Sequence, residues 1–440
     1  MSNQSTPLAV PVTSVGSGKR VAVALTASLL GWSLDLYDLF TLLFIAPVIG
    51  QLFFPSKFPT LSLAAVYASF AVTLLMRPVG SGLFGALADR RGRKRSMTVA
   101  MVGVGISAAL LGVLPTVDQA GLMAPMLFLF LRLVEGVFVG GVVASTHTIS
   151  TESIAPRWRG TVSGLIGGGG AGLGALFATL VFYVLSRLFP GHQFAVWGWR
   201  VMFYTSLLSS LLAWMVFRYL EESPYWLKVV EQGQAERSAP VRAVFSRRYL
   251  PILWVNLCLV IGGGSGYYLT SGFLPTFLGV VKHLSHLVSS QILIWASLTV
   301  LLAAVLFGWI SDLWGRKKTF LVAGIMALVL LPVSYFKLAS SPDAASTTFW
   351  ALLLVFVGNA TYAPILIFLN ERYPTALRST GTALSWNLGF AVGGMMPTFV
   401  TLAAGKTTAI PLTLSLFVAA IFALYIVGAI LSPETRGEFH

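Results

Sequence analysis

Twelve long stretches of mostly apolar residues, separated by short polar or Gly/Pro-marked turns, take up nearly the whole 440-residue chain. A helix needs roughly 20 apolar residues to cross the hydrocarbon core of a bilayer. In lipid every backbone N–H and C=O must be paired internally, which leaves only helices and closed β-barrels as spanning structures. Barrel strands alternate in polarity, whereas windows such as Leu321–Pro332 and Leu414–Leu431 are apolar almost without a break. The chain is therefore expected to be an all-α membrane protein of twelve transmembrane helices. They lie at about 21–48, 61–88, 96–115, 121–149, 159–188, 199–219, 250–278, 287–313, 319–338, 348–371, 379–404 and 410–431. With 56% hydrophobic residues and 10% charged ones, a soluble globular domain is excluded.

The net charge of +14 would suit a nucleic-acid partner if it were spread over a soluble surface, but its placement says otherwise. Arg90, Arg91, Arg93, Lys94, Arg95, Arg247, Arg248, Arg316, Lys317 and Lys318 all fall on one side of the twelve spans. The opposite connections hold only Lys57, Arg187, Arg200, Lys282, Lys337 and Lys406. That asymmetry is the positive-inside pattern, so both termini are expected in the cytoplasm and no nucleic acid is expected as a partner. Met1–Gly18 is a polar tail without the charged start and apolar centre of a secretory signal, so the first helix is expected to direct its own insertion.

Cys258 is the single cysteine, so no intrachain disulfide can form. His147, His192, His283, His286 and His440 lack metal-ligand spacing, and no metal is expected. His147 alone falls inside a helix, where a proton relay and plain packing are both open readings. The run Gly167–Gly174 lies within the fifth helix with no strand before it and reads as close helix packing. Gly405-Lys406-Thr407 has Val400 where a nucleotide loop needs glycine, so no nucleotide and no other cofactor is expected.

Internal echoes organise the chain. Phe84-Gly85-Ala86-Leu87-Ala88-Asp89-Arg90-Arg91-Gly92-Arg93-Lys94-Arg95 returns as Phe307-Gly308-Trp309-Ile310-Ser311-Asp312-Leu313-Trp314-Gly315-Arg316-Lys317-Lys318. Glu152 and Arg159 return as Glu371 and Arg378, and Ser223-Pro224 as Ser432-Pro433. Three echoes in the same order argue for duplication. The expected layout is a tail 1–20, a six-helix bundle 21–219, a cytoplasmic linker 220–249, a second six-helix bundle 250–431 and a tail 432–440.

Gly-x-x-x-Asp-Arg-x-Gly-Arg-Lys, here Gly85 to Lys94, resembles the signature loop of the major facilitator superfamily, and the likeness covers essentially the whole chain. Within that superfamily the chain resembles the metabolite:proton symporters of the sialate and lactate type. The residues that carry this are Asp35-Leu36-Tyr37-Asp38, Arg77-Pro78-Val79-Gly80, Ala155-Pro156-Arg157-Trp158-Arg159-Gly160, Glu222-Ser223-Pro224-Tyr225-Trp226-Leu227 and Leu274-Pro275-Thr276-Phe277-Leu278. The resemblance implies a cytoplasmic gate built from Gly85, Asp89, Arg93, Glu152 and Arg159, with Asp312, Arg316, Glu371 and Arg378 as second-half equivalents. It breaks down in helix 4. Family members carry Gly-Gly-Glu-Trp where this chain reads Gly140-Gly141-Val142-Val143, and Glu135 replaces the usual glutamine.

A charge at mid-membrane depth costs about 2.5–3.5 kcal/mol on insertion scales, so it faces a cavity or a partner. Asp35 and Asp38 share one face of helix 1, and Arg132 and Glu135 share one face of helix 4. Asp38 and Arg132 are expected at similar depth and able to meet. Asp35, Asp38 and Glu135 are thus the candidates for proton coupling, and Arg132 for gripping an anion. Arg77, beside Pro78, is assigned mainly to structure. Tyr267, Tyr268, Asn359, Tyr362 and Asn387 are candidate substrate contacts, with interhelical packing an equally good account.

The sequence thus predicts a non-enzymatic, proton-coupled symporter of a bacterial inner membrane, a monomer in the lipid bilayer that imports a small organic anion. A facilitator or exporter of neutral or cationic solutes is the alternative.

Overall fold

A computed structural model describes residues 18–91, 93–152, 154–219, 240–373 and 378–436. No strand occurs among them. Helix α1 spans Gly18–Phe53, α2 Pro59–Arg91, α3 Arg93–Leu111 and α4 Met123–Glu152. Helix α5, Pro156–Leu188, contains a π turn at Leu165–Gly169, and α6 spans Trp199–Tyr219. Helix α7, Leu250–Val281, carries π turns at Tyr268–Gly272 and Phe277–Val281. Then come α8, His286–Trp314, α9, Arg316–Ser340, α10, Ala344–Arg372, α11, Arg378–Ala404, and α12, Ile410–Leu431. Eleven of these are long and apolar enough to cross a membrane. The twelfth, α6, has 21 residues with Arg200 and Arg218 near its ends, and it packs along α1 and α3. Most of the expected linker, residues 220–239, lies outside the described residues.

The packing repeats six helices on. Helix α1 packs on α5, α2 on α4 and α3 on α6, while α7 packs on α11, α8 on α10 and α9 on α12. The two sets of six meet mainly through α2 against α11 and α5 against α8. Lipid offers no hydrophobic drive between helices, so such contacts depend on small residues that let backbones touch. A Cβ on Gly140 would lie 2.1 Å from the Arg77 carbonyl oxygen. This approach of α4 to α2 brings Arg77, Arg132 and Glu135 into one interior. At the junction between the sets, a Cβ on Gly164 would lie 2.3 Å from the Ala304 oxygen.

Helix α1 runs to Phe53, five residues past its expected end at 48, and α2 begins at Pro59. The extension deepens every α1 residue relative to the end of the bundle away from the basic loops. At 1.5 Å per residue, Arg132 lies about 14 Å and Glu135 about 18 Å from that end, Asp38 about 22 Å, and Asp35 and Arg77 about 27 Å.

Candidate functional site

Five ionisable side chains share the interior of the first six helices: Asp35 and Asp38 of α1, Arg77 of α2, and Arg132 and Glu135 of α4. Each is 5% exposed or less. Arg132 Nη1 donates to Glu135 Oε2 at 2.7 Å. The expected meeting of Arg132 with Asp38 is therefore corrected, since no ion pair joins them among the described residues. The cause is the depth offset from the longer α1, which leaves the guanidinium closer to the carboxylate one turn along its own helix. Arg77 is the main cationic influence on Asp35, while Asp38 is within electrostatic reach of Glu135, Asp35 and Arg132. Oδ1 of Asp35 and Oδ1 of Asp38 have no hydrogen-bond partner among the described residues. A cavity of about 10 Å³ between α1, α3, α4 and α6 touches both aspartates, which is room for about one water.

Beside these charges stands a cluster of rings drawn from both sets of helices. Trp386 stacks on Phe390 with centroids 4.1 Å apart, and Tyr267 stacks on Tyr362 at 5.2 Å. Trp32 meets Trp386 edge-on at 5.9 Å, Phe40 meets Tyr267 at 6.1 Å, and Tyr268 lies 5.3 Å from Phe70. The Arg132 guanidinium sits 5.8 Å over the Phe70 ring, which links the rings to the charges. The hydroxyl of Tyr267 has no partner among the described residues. Of the other expected contacts, Tyr268 and Tyr362 belong to this cluster. Asn387 donates to Ser81 Oγ at 3.0 Å across α11 and α2, and Asn359 donates to Ser271 Oγ at 2.9 Å. Both side-chain oxygens stay unpartnered among the described residues.

At the basic end, Asp312 of α8 reaches the first turn of α5. Its Oδ1 accepts from Gly160 N at 2.8 Å, and its Oδ2 accepts from Thr161 N at 2.7 Å and from Thr161 Oγ1 at 2.8 Å. The amides of a first helical turn lack intrahelical acceptors and carry the positive end of the dipole, so a carboxylate suits them. Arg316 is fully buried, donating to Asp312 at 2.9 Å and through Nε and Nη2 to Glu371 at 3.1 and 2.9 Å. Arg159 is within electrostatic reach of Glu371. Gly85, Asp89, Arg93, Glu152 and Arg378 lie outside the residues whose side chains are described. Gly315 joins α8 to α9 at φ 93°, where glycine is needed. A Cβ there would also strike the Glu434 carboxylate at 2.3 Å.

His147 of α4 is buried between Ser163 Oγ of α5 and Asn370 Nδ2 of α10, each at 2.9 Å. At the opposite end the sets are tied by neutral groups. Tyr67 and Thr276 share a hydrogen bond of 2.7 Å, Tyr67 stacks on Phe273, and Thr60 donates to the Gly405 oxygen at 3.1 Å.

Sequence reasoning missed the rings of Trp32, Phe70, Trp386 and Phe390, and it left Arg77 out of the charge cluster. It also missed the tail, where Thr435 Oγ1 donates to Glu371 at 2.7 Å and Glu434 accepts from Arg316 N at 2.8 Å. The Ser432-Pro433 echo was the available signal for the tail.

A model of the Major Facilitator Superfamily matches residues 21–397. The glycine betaine/proline/ectoine/pipecolic acid transporter of Dickeya dadantii is 28% identical over 399 residues, covering 89% of this chain and 79% of the relative. The inner membrane metabolite transport protein YhjE of Escherichia coli is 26% identical over 432 residues, covering 97% and 96%. Among solved structures, the proton:xylose symporter XylE bound to 6-bromo-6-deoxy-D-glucose superposes with a TM-score of 0.77 at 18% identity, covering 96% of this chain and 98% of the other.

Proposed function

Because this chain belongs to the Major Facilitator Superfamily, we propose that it is a proton-coupled importer of a small zwitterion that joins a carboxylate to an alkylated ammonium. The family and the named relatives are transporters, so the chain is a membrane transporter and not an enzyme. The observation that carries the finer reading is the ring cluster beside the buried charges, joined to them by Arg132 over Phe70. Aromatic faces attract alkylated ammonium groups through the ring quadrupole, and a guanidinium grips a carboxylate with two parallel hydrogen bonds. Betaine and proline, which the Dickeya dadantii relative and a proline/betaine transporter of Escherichia coli carry by name, combine those two groups. A purely anionic cargo, such as lactate or sialate, would leave the rings without a partner.

Rings from both sets meet here, so parting the sets on either side opens a slot with aromatic walls. Trp32, Tyr267, Tyr268, Tyr362, Trp386 and Phe390 flank the ammonium, and the unpartnered oxygens of Asn359 and Asn387 add polar edges. Arg77 and Arg132 receive the carboxylate. With every group ionised, the cluster holds three carboxylates against two guanidiniums, and an unbalanced charge away from water is strongly disfavoured. One proton restores neutrality. Arg132 already holds Glu135, so the proton resides on Asp35 or Asp38, and its arrival on Asp35 frees Arg77 for cargo.

The sets rock about this site. By the positive-inside rule the basic end and both termini face the cytoplasm of a bacterial inner membrane. Asp312, Arg316 and Glu371 bolt the inner gate, with Asp89, Arg93, Gly85, Glu152, Arg159 and Arg378 as its counterparts, and the carrier works as a monomer.

The test is uptake into proteoliposomes, acid outside, of labelled glycine betaine, proline, lactate and sialate. Gradient-driven accumulation of betaine or proline is expected. Accumulation of lactate or sialate alone would return the cargo to a simple anion, and equilibration without regard to the gradient would make the protein a facilitator. Trp386→Leu is expected to raise the half-saturation concentration for betaine about 5- to 30-fold, from roughly 1–2 kcal/mol of lost cation–π attraction.

A further inference from the structure

Where α8 ends and α9 begins, an open pocket of about 420 Å³ lies against the tail that follows α12. Trp314 and Leu321 give it an apolar floor, and Lys317, Lys318 and Arg436 line it with positive charge. Glu434 also lines it and offsets one of the three cations, leaving the lining net positive; its carboxylate oxygens are taken up by the amides of Arg316 at 2.8 Å, Lys317 at 3.2 Å, Thr435 at 3.1 Å and Arg436 at 3.0 Å rather than by the cationic heads. Lys317 uses one donor on the Ile430 oxygen at 2.7 Å, and Arg436 one on the Leu313 oxygen at 2.8 Å, so both keep donors to spare. The ammonium of exposed Lys318 makes no hydrogen bond among the described residues.

An apolar stripe leads out of the pocket. Val322, Ile325 and Val329 lie exposed at helical spacing along α9, beside exposed Val427 and Ile430 of α12. The pocket is at the basic end, the depth at which lipid headgroups meet Lys and Arg. We propose that it is a binding site for one anionic phospholipid, with the phosphate held by Lys318, Lys317 and Arg436 and the acyl chains laid along the α9–α12 stripe. A free phosphate would satisfy the cations and leave the stripe unused. A zwitterionic lipid brings a trimethylammonium group against three cations, so charge selects between headgroups.

The site is tested by native mass spectrometry of protein extracted from vesicles of phosphatidylcholine and phosphatidylglycerol. The wild type is expected to retain one phosphatidylglycerol in preference to phosphatidylcholine. Lys318→Gln is expected to weaken that retention about fivefold, the equivalent of the ~1 kcal/mol that one basic residue contributes near an anionic surface, and Lys318→Arg to restore it. Lys318 is exposed, so a monodisperse gel-filtration peak for each variant confirms that folding is intact. Equal retention of both lipids by the wild type, or unaltered phosphatidylglycerol retention in Lys318→Gln, would overturn the site. Loss of the adduct on adding inorganic phosphate would also overturn it, in favour of a free-anion site.

Discussion

Asp312→Asn keeps the shape of the side chain and removes its charge at the one point where α8 bonds to the amides that open α5. In the native arrangement Oδ1 accepts from Gly160 N and Arg316 Nη1, while Oδ2 accepts from Thr161 N and Oγ1, all at 2.7–2.9 Å. An asparagine keeps one of those oxygens and turns an NH₂ toward the Thr161 amide, donor against donor. One charge-assisted contact is lost outright and the remainder weaken. Hydrogen bonds to a charged group contribute about 1.5–3 kcal/mol each, and Arg316 keeps Glu371, so the preference for a closed inner end falls by about 2–4 kcal/mol. That is roughly 30- to nearly 1,000-fold in the ratio of closed to open molecules. Spin labels at exposed Arg95 and Arg248, in a Cys258→Ser background, report the separation of the two sets at that end. The variant is expected to add a longer distance that the parent lacks. A distance distribution matching the parent, with unchanged uptake, would refute the gate.

Asp35→Asn and Asp38→Asn each make the charge cluster neutral without a proton. They are expected to retain exchange of labelled cargo across the membrane and to lose accumulation driven by the pH gradient; gradient-driven accumulation in both, and in Glu135→Gln, would remove these carboxylates from coupling. Gly140→Leu drives a side chain into the Arg77 carbonyl, which a Cβ would approach to 2.1 Å. Overpacking of this kind typically destabilises by about 1–3 kcal/mol, so the purified variant is expected to melt at a lower temperature than the wild type, and an unchanged melting curve would count against the tight α2–α4 contact.

The twelve helices were legible because unbroken apolar runs of this length have one solution in lipid. The repeated signature pattern and its resemblance pointed to Asp312 and Arg316 as matched positions at the basic end, where Asp312 meets the α5 amides and Arg316 meets Glu371. The pairing of Arg132 was not legible. It turns on where α1 ends, and after 48 the apolar run is interrupted only at Gly50 and Gln51 before Leu52, Phe53 and Phe54 resume it, so composition gives no firm stop until Pro55. The rest of the ring cluster around Tyr267, Tyr268 and Tyr362 was hidden for a different reason. Trp32, Phe70, Trp386 and Phe390 lie on three helices spread along the chain, and an aromatic residue in an apolar helix looks the same whether it packs or binds. Arg77 was assigned mainly to structure, yet it is 4% exposed and is the main cationic influence on Asp35.

The two ends of the barrier are fastened with different chemistry. Tyr67, Thr276, Thr60 and Phe273 hold one side with neutral hydrogen bonds and ring contact, each worth about 1 kcal/mol or less. The other side is fastened by the buried Asp312 carboxylate on the Gly160 and Thr161 amides, with Arg316 holding that carboxylate in place from within the second set. On the proposed reading an empty carrier is therefore expected to yield first at its neutrally fastened seam, leaving idle molecules open on the side away from the basic loops.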